Sequence, residues 1–291
     1  MSRGVIYLFT GSKHAVVAAV SLMTLRDWWD GPVSLFCDES AMPFAGPIAE
    51  AAKADIIPYQ PVSLKRHSGF YNKTILPSLS PFEQTIQLDL DTTVVGEFGE
   101  LWPQQDDEFV LTQFAGWYSD GKKVNGRIGW WEKAAPKLVA DKRANPGPAL
   151  NTGCVAYGPD SWLAKRVWRE VTELNLGQFL GDEQAADLMT GQAIWTPYIR
   201  ILDDRWNWSP VYSEDNDDKR VIHSHGSKAF KRQRAFCVWY PCFARALESN
   251  FGGICDWEHQ CSNKRYRRLV RDNPGILKSG FDYSKLFSEE G

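Results

Sequence analysis

Thr85-Ile86-Gln87-Leu88-Asp89-Leu90-Asp91 decides how the rest of the chain is read. Thr85 to Leu88 has the composition of a short buried strand, and two carboxylates follow it with one residue between them. In an extended segment, positions i and i+2 point to the same side, so Asp89 and Asp91 converge. Two like charges held close are costly unless a cation neutralises them. A hard divalent ion with oxygen ligands, Mn²⁺ or Mg²⁺, is the natural partner. An Asp-x-Asp triplet also occurs in ordinary turns, so its weight depends on what surrounds it.

Upstream, the text alternates between strand and helix patterns. Val5 to Phe9 is a continuous apolar run, as in a strand covered on both faces, and Thr10-Gly11-Ser12 ends it. Val16 to Leu25 reads as a helix, Val33 to Cys37 as a second strand closed by Asp38, Ile48 to Ala54 as a helix, and Asp55 to Tyr59 as a third strand. Tyr71 to Leu79 reads as a turn or two of helix before the Thr85 strand. The rhythm predicts an α/β fold, a mostly parallel sheet with helices on both faces. Ligands of such sheets sit beyond the carboxyl ends of the strands, where Thr10, Gly11, Asp38, Asp89 and Asp91 fall. The regular alternation weakens after Val95, and no internal repeat is visible.

Composition narrows the class. Of 291 residues, 43% are apolar and 24% charged, which excludes a fibrous or wholly disordered chain. No run approaches the roughly 20 apolar residues of a spanning helix, and the first residues lack the pattern of a signal peptide, so a cytoplasmic protein is expected. The net charge of −3 hides an asymmetry. Residues 219–291 hold fourteen Lys and Arg against seven Asp and Glu, a balance of +7; the first 218 hold nineteen against twenty-nine. The basic quarter suits an anionic partner, or simply a solvated face. Cys37 and Cys154 read as buried thiols. Cys237, Cys242, Cys255 and Cys261 cluster, yet their spacings are wide for most zinc sites, so zinc is one reading among others.

Further segments fall in a telling order: Tyr71-Asn72-Lys73, the Asp89-Leu90-Asp91 strand end, Glu100-Leu101-Trp102, Asn151-Thr152-Gly153, Gly181-Asp182-Glu183-Gln184, Arg205-Trp206-Asn207 and Ile222-His223-Ser224-His225-Gly226. This series resembles nucleotide-sugar glycosyltransferases with the GT-A fold, in the retaining galactosyl/glucosyltransferase group related to glycogenin. The resemblance covers roughly residues 5–228. It implies a GT-A body over 1–229 and a basic, Cys-containing extension over 230–291.

The resemblance also implies roles. Asp89, Asp91 and His223 would hold Mn²⁺ or Mg²⁺. Thr10 and Gly11 would flank the base and ribose of the donor, most readily a UDP-sugar. Lys73, Leu90, Gly226 and Lys228 would line the donor, with Lys73 and Lys228 near its phosphates. Asp182, Glu183 and Asn151 would face the reacting sugar. Each position has a plainer reading: a strand histidine, a surface lysine on a helix, an Asn-initiated turn, or carboxylates favoured at a helix start. One departure is clear. The family continues past His-x-x-Gly with Lys-Pro-Trp, whereas here Ser227-Lys228-Ala229-Phe230-Lys231 follows, so either Lys228 or Lys231 could serve the phosphates.

The expected activity is metal-dependent sugar transfer to a hydroxyl, with retention favoured over inversion. The Lys231–Arg234 and Lys264–Arg271 clusters point to an anionic acceptor, a lipid-linked saccharide or lipopolysaccharide reached at the membrane face. A hydroxylated base of DNA is an alternative acceptor. A non-catalytic nucleotide- or carbohydrate-binding module is an alternative of another class, in which the 13 Trp residues would supply stacking surfaces.

Overall fold

The computed structural model describes residues 1–118, 127–195, 197–214, 217–225, 233–251, 253, 264–278 and 281–282. Nine strands lie among them: β1 (Arg3–Phe9), β2 (Val33–Cys37), β3 (Asp55–Pro58), β4 (Gln84–Leu88), β5 (Thr92–Val94), β6 (Phe109–Tyr118), β7 (Pro148–Tyr157), β8 (Ile199–Leu202) and β9 (Val221–His223). The helices are α1 (Ala15–Arg26), α2 (Met42–Ala52), α3 (Ser68–Ile75), α4 (Pro136–Ala144), α5 (Trp162–Glu173), α6 (Gly181–Met189), α7 (Gln233–Leu247) and α8 (Lys264–Asp272).

Seven strands form one sheet in the order β3-β2-β1-β4-β7-β6-β8. β1 to β4 are parallel to one another; β7 runs against both β4 and β6, and β8 is parallel to β6. The sheet is thus mostly parallel, with one strand reversed. Its central strands alternate their side chains between two cores. Val5, Tyr7 and Phe9 of β1 join Ile86 and Leu88 of β4 on one face, while Ile6 joins Val155 and Tyr157 of β7 on the other. This is why the Val5–Phe9 run is apolar without a break.

α1, α2 and the described residues of α7 and α8 cover the first face; α4, α5 and α6 cover the second, with α3 packed on α5 and α6. Every residue of α1 from Ala15 to Leu25 is buried, because the helix packs against α2 and α7 as well as β5. Phe236, Trp239, Tyr240 and Phe243 of α7, with Tyr266 and Val270 of α8, belong to that same core. No described helix is long and apolar enough to cross a membrane.

Two elements differ locally from the sequence reading, α2 and β7. α2 begins at Met42, six residues before the expected Ile48. Pro43 stands in its first turn, where a missing N–H costs nothing, and Pro47 is accommodated inside the helix. The Asn151-Thr152-Gly153 segment is no turn. It lies within β7, where the pairing with β6 shifts register between Asn151 and Ala156.

Candidate active site

The carboxyl ends of the parallel strands gather the expected residues from five elements. Asp89, Leu90 and Asp91 form a tight turn between β4 and β5, closed by the Thr92 N–H donating to the Asp89 carbonyl at 3.2 Å. The carboxylates therefore converge through a turn rather than through an extended pair. β5 pairs antiparallel with β9, and Thr92 stands opposite His223. That pairing carries His223 to the turn, and the Ser224 N–H secures it by donating to the Asp91 carbonyl at 2.9 Å. One ligand atom from each of Asp89, Asp91 and His223 lies within 4.8 Å of the others.

The tautomer of His223 follows from its partners. The Gly153 N–H donates to Asn151 Oδ1 at 2.8 Å, which identifies that atom as the oxygen. His223 Nδ1 sits 3.1 Å from Asn151 Oδ1 and 3.0 Å from Asn207 Oδ1, both acceptors, so it carries the proton. Nε2 then faces Asp91 Oδ1 at 3.3 Å and Asp89 Oδ2 at 3.7 Å, where it donates when protonated and would offer a lone pair to a cation in place of that proton. Gly153 makes room for this ring, since a Cβ there would lie 2.3 Å from His223 Nδ1.

A second group of charges adjoins the first. Lys73 on α3 is buried, not on the surface. Its Nζ lies 2.7 Å from Asp89 Oδ1 and 3.4 Å from Asp182 Oδ2. Asp182 and Glu183 occupy the first turn of α6 without capping it; both side chains are buried in the site. The Thr152 hydroxyl donates to Asp182 Oδ2 at 2.6 Å, and the Trp168 indole N–H to the Asp182 carbonyl at 2.8 Å. Asp182 Oδ1 is buried with no hydrogen-bond partner among the described residues. Glu183 pairs with Arg127 and accepts from Asn151 Nδ2 at 2.9 Å.

Four carboxyl groups thus face two permanent cations, Lys73 and Arg127, and the electrostatics register the shortfall. Burial outweighs Lys73 and pushes the Asp89 carboxyl up, because that lysine is shared with Asp182 and Asp91 adds repulsion. Lys73 itself is raised: burial opposes its charge, but Asp89 and Asp182 prevail. Burial would raise Asp91 too, yet His223 beside it holds it well below the usual carboxylate range. His223 is raised by Asp91 and Asp89 against its own burial. Burial drives Glu183 up to about 7 despite Arg127. A site short of permanent positive charge, with two carboxylates and His223 Nε2 converging, fits a hard divalent cation that would displace the imidazole proton.

Glu183 provides a pH test. Its folded pKa lies above the usual glutamate value, so its contribution to stability is complete below about pH 4.5 and is lost as pH rises through about 7. Glu183→Gln removes that titration. Denaturant unfolding at pH 5.5 and 8.5 should show the variant gaining on the parent at the higher pH, by on the order of 2–3 kcal/mol.

Of the remaining expected residues, Thr10 and Gly11 follow β1. The Gly11 N–H donates to Asp38 Oδ1 at 3.2 Å, and its φ of 75° is one that glycine adopts freely. Gly226, Lys228 and Lys231 lie outside the described residues, as do Cys255 and Cys261 of the suggested zinc cluster. Cys237 and Cys242 are free thiols, and Cys37 and Cys154 are buried as expected. Sequence reasoning assigned no role to Asn207, whose motif was in view, or to Thr152, Trp168 and Arg127. Arg127 stands in no motif, so nothing in the text marked it.

No protein-family model and no curated protein sequence matches the chain. Solved structures do. The chain is similar to the galactosyltransferase LgtC in complex with donor and acceptor sugar analogues, at 13% identity and a TM-score of 0.57, over 87% of this chain and 95% of that one. It is similar to apo mouse xyloside xylosyltransferase 1, at 14% identity and a TM-score of 0.54, over 77% of this chain and 97% of that one. It is also similar to the glycosyltransferase GlyE of Streptococcus pneumoniae TIGR4, at 12% identity and a TM-score of 0.58, over 88% of this chain and 62% of that one. The chain has the GT-A glycosyltransferase fold. Within it, the strand ends carry the charged site described above.

Proposed function

We propose that the protein is a metal-dependent glycosyltransferase that moves a sugar from a nucleotide-sugar, most readily a UDP-sugar, to an acceptor hydroxyl. The observation that carries this reading is the convergence of Asp89, Asp91 and the His223 Nε2 lone pair beside Lys73 and Asp182, at the ligand-binding end of a GT-A sheet. A divalent cation held by the first three residues would supply Lewis-acid neutralisation of charge on the departing diphosphate.

The chain's own groups supply the rest. Lys73 holds Asp89 and Asp182 in place and adds positive charge on the phosphate side. Asp182 Oδ1, buried and unpartnered among the described residues, would accept a hydrogen bond from a sugar hydroxyl. Arg127 and Asn151 fix Glu183. Thr10 and Gly11 border the nucleoside, and Gly226 and Lys228 serve the diphosphate in this reading. Residues 1–229 form the catalytic body and 230–291 its extension.

α8 favours an anionic acceptor. Tyr266 and Val270 anchor it to the core while Lys264, Arg265, Arg267, Arg268 and Arg271 are exposed. A lipid-linked saccharide or lipopolysaccharide, met at the cytoplasmic membrane face, suits that surface. The intact donor set speaks against a module that has lost catalysis.

The test is a panel of nucleotide sugars incubated with Mn²⁺ and no acceptor. One UDP-sugar should be hydrolysed slowly, with UDP release stopped by EDTA. Absence of turnover across the panel would overturn the reading. With an acceptor in hand, proton NMR of the first-formed anomer should show retention. A salt-sensitive gel shift with duplex DNA would move the acceptor assignment to nucleic acid.

A further inference from the structure

A groove of about 590 Å³ lies at the opposite end of β4 from Asp89. Phe82, which lines it, stands just before β4, and Asp89 just after it, so the strand separates the two places by about 17 Å. The volume is in the range of small-molecule sites. One wall is α3 and the turn after it, including Thr74; the other is α5, which presents Trp162, Lys165, Arg166 and Arg169.

Two properties of this groove select a ligand. The first is its charge. Three cations line it, and its one acidic residue, Glu83, is turned to accept from the Ser2 N–H at 2.6 Å. Arg166 and Arg169 each pair along the helix, with Glu170 at 2.7 Å and Glu173 at 3.6 Å. Such exposed pairs are worth little and exchange readily for a better-placed anion. The Lys165 ammonium lies 5.1 Å over the Tyr157 ring and only 3.5 Å from the Gly158 carbonyl oxygen, a long contact that leaves its donors available.

The second property is Trp162. Its side chain is 59% exposed at the first position of α5, and burial in the core does not account for it. A flat indole beside hydroxyl groups and cations offers an apolar face and hydrogen-bonding partners together. That combination matches the face and edge of a sugar ring better than it matches a bare anion.

We propose that this groove is a second saccharide-binding site, taking an acidic oligosaccharide with one ring on Trp162 and its carboxylates on Lys165, Arg166 and Arg169. Nothing in this inference depends on the reaction proposed above. It shares helices with that site all the same. Thr74 lines the groove beside Lys73, and Trp168, next to Arg169, holds the Asp182 carbonyl at 2.8 Å. The Tyr71 hydroxyl ties α3 to Glu173 of α5 at 2.8 Å.

Titration calorimetry on the full chain tests the site directly. The probes are tetragalacturonate, neutral maltotetraose of the same length, and inorganic phosphate. Tetragalacturonate should bind saturably at low salt, more tightly than either other probe. Trp162→Ala should weaken it at least tenfold, and the double variant Arg166→Ala/Arg169→Ala at least fivefold, with little change in melting temperature because Trp162 and Arg166 are exposed and Arg169 is half-buried in a weak helix-surface pair. Unaltered binding in Trp162→Ala, no saturable binding by the parent, or phosphate binding as tight as tetragalacturonate would each overturn the proposal. Since binding is read without turnover, its failure and that of the proposed transferase activity are told apart.

Discussion

Asp91→Asn should abolish metal-dependent donor hydrolysis, lowering the rate by about a thousandfold or more, or roughly 4 kcal/mol of barrier. The substitution keeps the volume of the side chain and removes its charge. Asp91 is the carboxylate nearest His223 Nε2, and His223 keeps it ionised. The neutral amide forfeits most of its affinity for a hard cation, because such an ion selects anionic oxygen. Asp89 alone cannot replace it, being already engaged by Lys73. Isothermal titration with Mn²⁺ should show the loss of binding, and circular dichroism an unchanged fold. Full hydrolysis by this variant in the presence of EDTA would sink the metal assignment.

Lys73→Met should be the most destabilising single change in the site. It leaves Asp89 and Asp182 buried without their shared counter-charge, and removal of one partner from a buried pair costs about 3–5 kcal/mol. The cost should shrink at lower pH. Burial already raises the Asp89 carboxyl, and loss of Lys73 removes the charge that opposes that rise. The penalty is therefore felt as pH rises through the elevated Asp89 value and eases below the usual carboxylate range. Denaturant unfolding at pH 5 and pH 8 checks the sign. Saturating Mn²⁺ should restore part of the stability by stabilising the folded state. A variant as stable as the parent at pH 8 would show that Lys73 does not hold these carboxylates.

Much of this was legible in the text for identifiable reasons. β1 is buried on both faces and shows as the unbroken apolar run Val5–Phe9, whereas β2 and β4, equally buried, carry Ser34 and Gln84, Thr85 and Gln87 and are legible from their shortness and the turn residues that bound them. The strand end with Asp89 and Asp91 marked the site because local spacing alone brings two carboxylates together. Lys73 was harder: a lysine on an amphipathic helix ordinarily faces water, and only the tertiary placement of Asp89 and Asp182 makes its burial tolerable. Asn151 was read as a turn because Asn-Thr-Gly is turn chemistry. Its side chain instead bonds Gly153 and Glu183 within a strand that shifts register. Arg127 acts through a long-range contact to Glu183 that no local pattern announces, and Asn207, though inside a quoted segment, gains its role only from tertiary contacts with Asn151 and His223. The exposed indole of Trp162 was equally invisible among thirteen tryptophans, of which Trp131, Trp206 and Trp208 are buried while Trp28 and Trp130 are in good part exposed.

The pairing of β5 with β9 joins residues more than a hundred positions apart through two strands of three residues each. During synthesis the strands up to β8 could therefore pair before His223 is made. His223 thus joins Asp89 and Asp91 late, ahead only of α7 and α8, which complete the first core. A nascent polypeptide stalled before residue 221 would present Asp89 and Asp91 without His223, with the core positions of α7 and α8 still unfilled.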